Sequence, residues 1–202
     1  MHRAAAGLIA LLCWAGIAIQ LWTSYSQTHD VLTTLWNLAR FFTIIGNVAV
    51  AAAMSAVALG KRVSPLVLGG LTLAILLVGI VYATLLRGLH SHSGLSLVAN
   101  YLLHDVSPIA MAVYWLLFVP RGRLRWSAPG WWVLFPLAYL IYALARGRID
   151  GRYPYPFVDV AKLGWQQVAL NSAGIAFGFV IAGFLLVWID RWRPLGPRRR
   201  RR

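Results

Sequence analysis

Six stretches of the chain are apolar for long enough to cross a lipid bilayer: residues 4–22, 41–59, 65–86, 97–119, 130–145 and 167–189. Most have the ~17–25 residues that a helix needs to cover the hydrocarbon layer. The fifth is the shortest, and the pattern does not fix its ends; five spans plus one interfacial helix is the alternative. The predicted fold class is therefore all-α: a polytopic membrane helix bundle of about six transmembrane helices. Residues 1–190 form this domain, and residues 191–202 form a basic tail.

Composition supports the pattern. Of 202 residues, 60% are hydrophobic and only 12% are charged, with a mean hydropathy of +0.69. A soluble domain would be about a quarter charged. The net charge of +14 would normally raise nucleic acid as a partner. Here much of it lies in the tail and the rest between apolar segments, so it reads as topology and lipid-headgroup charge, with no nucleic acid partner.

Thirteen Lys and Arg lie at the N-terminus, in the 60–64 and 120–129 loops and in the tail, against six on the other side. The positive-inside rule then places both termini in the cytoplasm, in agreement with an even number of spans. The first span follows Met1-His2-Arg3 and lacks a small-x-small cleavage site, so it is expected to be retained. The tail ends in arginines that attract anionic headgroups. Trp131 and Trp132 are expected at the inner interface, and Trp22, Trp36 and Trp165 at the outer one. Gly174 and Gly178 fit the small-xxx-small pattern of close helix approach. No internal repeat supports an inverted-repeat transporter.

Polar residues inside these spans are few, and a polar stripe in such a segment must face protein or water. Trp36, Arg40, Thr43 and Asn47 recur at helical spacing and would share one face. His104 and Asp105 fall seven or eight residues into the fourth span, a depth of ~10 Å. Thr43 and His104 thus lie in the same half of the bilayer. A hydroxyl beside an imidazole is the minimum of an activated nucleophile.

Pro108 cannot donate to the carbonyl of His104 and should kink the helix, which favours a polar cavity there. Asn100 is one turn before His104 on the same face. The competing readings are a threonine bonded to its own helix and a structural histidine. The acids are five Asp and no Glu. The lone Cys13 excludes an intrachain disulfide. His90-Ser91-His92 lacks a nearby acid or cysteine, so no metal and no cofactor are expected. The 146–166 loop is stiffened by Pro154 and Pro156 between aromatics, and serves either as an interfacial anchor or as a lid over a site.

Arg40-x-x-Thr43-x-x-x-Asn47, His104-x-x-x-Pro108, and Tyr153-Pro154-Tyr155-Pro156-Phe157 with Asp159 and Gly164 together resemble one family. It is the androgen-induced integral-membrane threonine hydrolase family, in particular its bacterial six-helix members. The resemblance runs from Arg40 to the last span. It implies that Thr43 and His104 are the catalytic pair of a lipid-ester hydrolase, similar to hydrolases of fatty-acid esters of hydroxy fatty acids. It further implies a place in the bacterial cytoplasmic membrane, with membrane lipids and a lipid ester as partners. One position departs: Tyr114 stands where bacterial relatives are expected to carry an aspartate. Asp105 or Asp159 would then orient the catalytic group.

On this reading His104 is the base, Thr43 the nucleophile and Asn47 an oxyanion donor, while Arg40 holds a substrate carboxylate. Asn100, Asp105, Tyr155 and Asp159 complete the candidate set around substrate or oxyanion. A snorkelling anchor is the equal alternative for Arg40. The functions that compete are a transporter, channel or accessory subunit, and a lipid-binding membrane protein without turnover.

Overall fold

The computed structural model describes residues 1–89 and 91–192. Among these residues the fold is all helical, with no strand. α1 (His2–Thr28) is apolar from Ala4 to Ile19 and turns polar in its last turns. It ends where His29 turns left-handed (φ 52°) and its N–H closes on the Tyr25 carbonyl. Asp30 caps α2 (Val31–Leu38), its Oδ2 accepting from Thr33 N at 2.6 Å. The chain then bends by 92° into α3 (Phe42–Ala58).

Ser64 caps α4 (Pro65–Val81), with Pro65 in the first turn, where its missing N–H costs nothing. α4 runs on through a π-helical turn, Tyr82–Leu86. α5 (Gly94–Tyr101), a second π-helical turn (Leu102–Val106) and α6 (Ser107–Phe118) form one long unit. α7 (Ala128–Trp132) leads into α8 (Leu134–Asp150), and α9 (Val160–Trp192) closes the bundle. Gly164, at φ 74°, interrupts α9 after its first turn, a conformation that favours glycine.

Five helical units are long and apolar enough to cross a membrane: His2–Thr28, Pro65–Leu86, Gly94–Phe118, Ala128–Asp150 and Val160–Trp192. α2 and α3 meet the same length and apolarity only as a bent pair taken together, which gives up to six crossings, with α3 the longer arm. It has 17 residues and packs along α1, where Ala6, Ala10 and Cys13 meet the fully buried Val50, Ala51 and Met54. The chain is an integral membrane protein.

Side-chain contacts fix which turns share an end. Arg3 packs on Gly60, the Trp132 indole donates to the Leu66 carbonyl (2.9 Å), and Asp190 Oδ2 accepts from Leu124 N (2.9 Å). Both ends of the described chain therefore lie at one face of the bundle. The 29–41 and 151–159 connections, with 87–89 and 91–93, lie at the other, here called the site end.

Four expectations need correction. The face shared by Trp36, Arg40, Thr43 and Asn47 does not exist, because the helix breaks at Ala39–Phe41 and Phe41 is extended (φ −94°, ψ 130°). Tertiary hydrogen bonds replace the helical ones there: Tyr142 Oη donates to the Ala39 carbonyl (3.1 Å) and Tyr139 Oη to that of Arg40 (2.7 Å). Trp132 is no interfacial anchor; it is 6% exposed and fills the space beside Gly69 and Gly70. Gly174 and Gly178 bring no helix close, since a Cβ on either would meet nothing within 4 Å. Close approach falls to Gly183, where a Cβ would lie 3.0 Å from Pro129 and 3.4 Å from Leu73. The fifth span is longer than its apolar core, because Arg146 and Gly147 near its end are buried in protein. Of the tail, Arg191 donates to the Leu124 carbonyl (3.3 Å), and residues 193–202 lie outside the described residues.

Candidate active site

Thr43 is the second residue of α3. A threonine inside a membrane helix normally bonds to the carbonyl four residues back, as Thr72 does to Leu68 and Thr84 to Ile80, both at 2.7 Å. For Thr43 that carbonyl belongs to Ala39, which lies before the break and is already taken by Tyr142. The bend thus leaves the Thr43 hydroxyl available, and it lies 3.3 Å from His104 Nε2. That separation suits an unliganded catalytic pair, whose hydrogen bonds tighten on substrate binding.

The second imidazole nitrogen decides the chemistry of the first. His104 Nδ1 lies 3.1 Å from the Asn100 carbonyl, which can only accept. In the neutral ring the proton is therefore on Nδ1, and Nε2 is left as the acceptor facing Thr43. No carboxylate orients the ring. Asp105 points away and pairs with Arg87, and Asp159 caps the first turn of α9, accepting from Lys162 N at 3.3 Å. Neither lines the two cavities that meet at Thr43, and the group bonded to the His104 ring is a backbone carbonyl. Tyr114, in place of the expected aspartate, is buried in the apolar core against Phe118, and it too lines neither cavity.

Asn47 is fully occupied. Its Nδ2 donates to the carbonyls of Thr43 (2.8 Å) and Leu103 (3.1 Å), and its Oδ1 accepts from Ser107 Oγ (2.6 Å). The reason lies in the π-helical turn. Ser107 N bonds to Leu102 O, five residues back, so the next carbonyl, Leu103, faces Pro108, which has no N–H. The register shift thus moves the orphaned carbonyl from His104, where an α-helical reading puts it, to Leu103. Asn47 Nδ2 satisfies it, with Ser107 Oγ, whose single proton goes to Asn47 Oδ1, a further 3.2 Å neighbour. Asn47 bolts α3 to this turn and has no free donor for an oxyanion.

Arg40 is likewise engaged. It is 6% exposed and donates to Asp150 Oδ2 (2.8 Å) and the Arg152 carbonyl (2.7 Å). Arg146 stacks on Trp36 (3.8 Å), donates to the Trp36 carbonyl, and lies 3.6 Å from the same Asp150 carboxylate. Arg40 is the clamp that holds the α2–α3 bend against the end of α8, and it does not reach the cavities.

Two cavities meet at Thr43. One, of about 280 Å³, is lined by Gln20, Tyr82, His92, Asn100, His104 and the Pro154–Pro156 segment, among others. The second, of about 90 Å³, is an apolar chamber between α3, α4, α8 and α9. Thr43, Leu86 and Tyr155 belong to both. Tyr155 covers the junction, its phenol beside Tyr139 and against the backbone and side chain of Thr43 at the start of α3. First-turn N–H groups of a helix have no intrahelical acceptor, so donors converge on this point. Of the expected 146–166 loop, only 151–159 lies between α8 and α9, and its Tyr155 lines both cavities.

Tyr82 was invisible in the sequence. It stacks on His104 with centroids 4.2 Å apart, and Asn100 Nδ2 donates to its hydroxyl (2.6 Å). Both π-helical turns flank the site, as such turns often do, but nothing in a sequence pattern marks them. His92 reaches the cavity wall, while His90 lies outside the described residues. No cluster of metal-ligating side chains exists among the described residues. No family model matches the chain, and neither a curated protein nor a solved structure is significantly similar to it.

Proposed function

We propose that the protein is an integral-membrane lipid-ester hydrolase with Thr43 as nucleophile and His104 as base, acting in a bacterial cytoplasmic membrane with both termini inside. The observation that carries this reading is the pair itself. A hydroxyl freed by a helix break lies 3.3 Å from an imidazole nitrogen whose tautomer is set by the Asn100 carbonyl. Two cavities open on it, one of them apolar.

In the first step Thr43 Oγ attacks the ester carbonyl carbon while its proton passes to His104 Nε2. The negative charge that develops on the carbonyl oxygen faces the Tyr155 hydroxyl and the positive end of α3. The C–O bond to the alcohol breaks, and His104 returns the proton to that oxygen. Water then attacks the acyl-threonine, again losing a proton to His104, and the acid leaves as Thr43 regains its hydrogen. Tyr82, stacked on the ring, favours the imidazolium formed on the way.

Buried polar groups argue against an ion path. Thr34, Arg40, Thr43, Asn47, Asn100, Ser107 and Arg146 cluster toward the site end; beyond them come Thr72, bonded to its own helix, and then Asp190 at the far end. A lipid-binding protein without turnover is the second reading, favoured by the apolar chamber alone. The test is hydrolysis of long-chain esters by purified protein in detergent. Activity that disappears in Thr43→Ala and in His104→Ala supports the hydrolase; saturable lipid binding without hydrolysis supports the second reading.

A further inference from the structure

α4 and α9 touch at Leu73 and Gly183, and toward the site end both line a lipid-facing groove. A Cβ on Gly183 would be 3.4 Å from Leu73, whereas one on Gly178 or Gly174 would meet nothing within 4 Å. The gap between them is a groove of about 540 Å³ on the lipid-facing side of the bundle, bordered by the exposed Ile80, Leu85 and Leu185 and by Gly178. Its inner wall consists of Leu77, Val81, Ile175 and Phe179, and these same four residues line the apolar chamber behind it. One layer of side chains therefore separates the bilayer from a chamber that ends at Thr43. Phe179, 3% exposed, is the wedge in that layer.

We infer that this groove is a lateral portal: an acyl chain of a membrane lipid passes from the bilayer between α4 and α9, past Phe179, and lodges in the chamber with its carbonyl at Thr43. The occupant is an apolar chain because no charged group borders either space; Thr84, whose hydroxyl is bonded to Ile80, is the polar residue of the groove. Both segments Ser172–Phe179 on α9 and Pro136–Ala143 on α8 line the chamber. Each covers about 10 Å of helix axis, but a space of about 90 Å³ takes only the first few carbons beyond the carbonyl, so the rest of the chain lies past Phe179 in the groove. The larger cavity, with its polar wall of Gln20, His92 and Asn100, is left for the alcohol portion. Gly178 keeps the portal open, which accounts for a glycine in mid-helix where it supports no close packing.

The role of the chamber as an acyl site rests on the hydrolase reading, so the experiment uses a readout that does not need turnover. A palmitoyl ester with a diazirine near the chain end is irradiated with the full-length protein in phosphatidylglycerol–phosphatidylcholine vesicles, and the cross-linked peptides are mapped. Adducts are expected on Leu77, Ile175 or Phe179, and Gly178→Phe should reduce them about tenfold. Gly174→Phe, whose side chain borders neither the groove nor the cavities, should leave them unchanged. Where hydrolysis is seen, Gly178→Phe should lower the ratio of long-chain to acetyl-ester turnover by about tenfold as well. Adducts at these positions without any hydrolysis would sustain the portal and remove the hydrolase. Adducts confined to other helices, or equal labelling of the Gly178→Phe protein, would overturn the portal.

Discussion

Replacing Asn47 by alanine separates two roles for the same side chain. As a bolt, Asn47 makes three hydrogen bonds, to the Thr43 and Leu103 carbonyls and from Ser107 Oγ. Side-chain hydrogen bonds within membrane bundles average ~0.6 kcal/mol each, so the three together amount to about 2 kcal/mol. The Leu103 carbonyl keeps Ser107 Oγ at 3.2 Å, which limits the loss. For a chain of this size, about 2 kcal/mol corresponds to a melting temperature lower by roughly 4–8 °C. The assay is thermal unfolding in detergent of Asn47→Ala, Ser107→Ala and the double variant, with turnover measured per folded molecule. The double variant should lose less than the sum of the singles, because both remove one shared bond. Unchanged stability in Asn47→Ala with a turnover loss of ~10²–10³ would refute the bolt and restore the oxyanion role.

Tyr155→Phe should lower turnover by ~10²–10³ with little change in melting temperature, as expected for a donor used only when charge develops on the substrate. Unaltered kinetics would remove the phenol from the site. Asp150→Ala should destabilise the protein by about 3 kcal/mol in equilibrium unfolding, because it strands Arg40 and Arg146, both nearly buried. Asp105→Ala, which breaks the half-exposed pair with Arg87, should cost under about 1 kcal/mol. Gly79→Ala should cost about 1–3 kcal/mol, since its Cβ would stand 3.1 Å from both the His104 carbonyl and Pro108. Gly174→Ala should be neutral or stabilising in the same assay.

Span positions were legible because crossing a bilayer demands length and apolarity, both local properties of a sequence. Thr43 and His104 were legible for the complementary reason: a polar side chain in such a run is rare enough to stand out. The bend at Ala39–Phe41 was not. It is held by Tyr139, Tyr142, Asp150 and Arg152, about a hundred residues away, so a local period read straight through it. The same distance hid the partner of Arg40. Pro108 correctly signalled an orphaned carbonyl, but the π-helical register moved it by one residue and recruited Asn47 to satisfy it. Gly174 and Gly178 have the spacing of a packing motif, yet a Cβ on either would meet nothing within 4 Å, so no helix packs on them.

Covalent labelling of the intact protein tests the central claim most directly. Purified protein is treated with a long-chain fluorophosphonate, digested, and the modified residue is located by mass spectrometry. The adduct should be on Thr43, absent from Thr43→Ala and formed far more slowly in His104→Ala, where the hydroxyl has lost its base. An adduct on another residue that persists in Thr43→Ala would contradict the assignment of Thr43 as nucleophile.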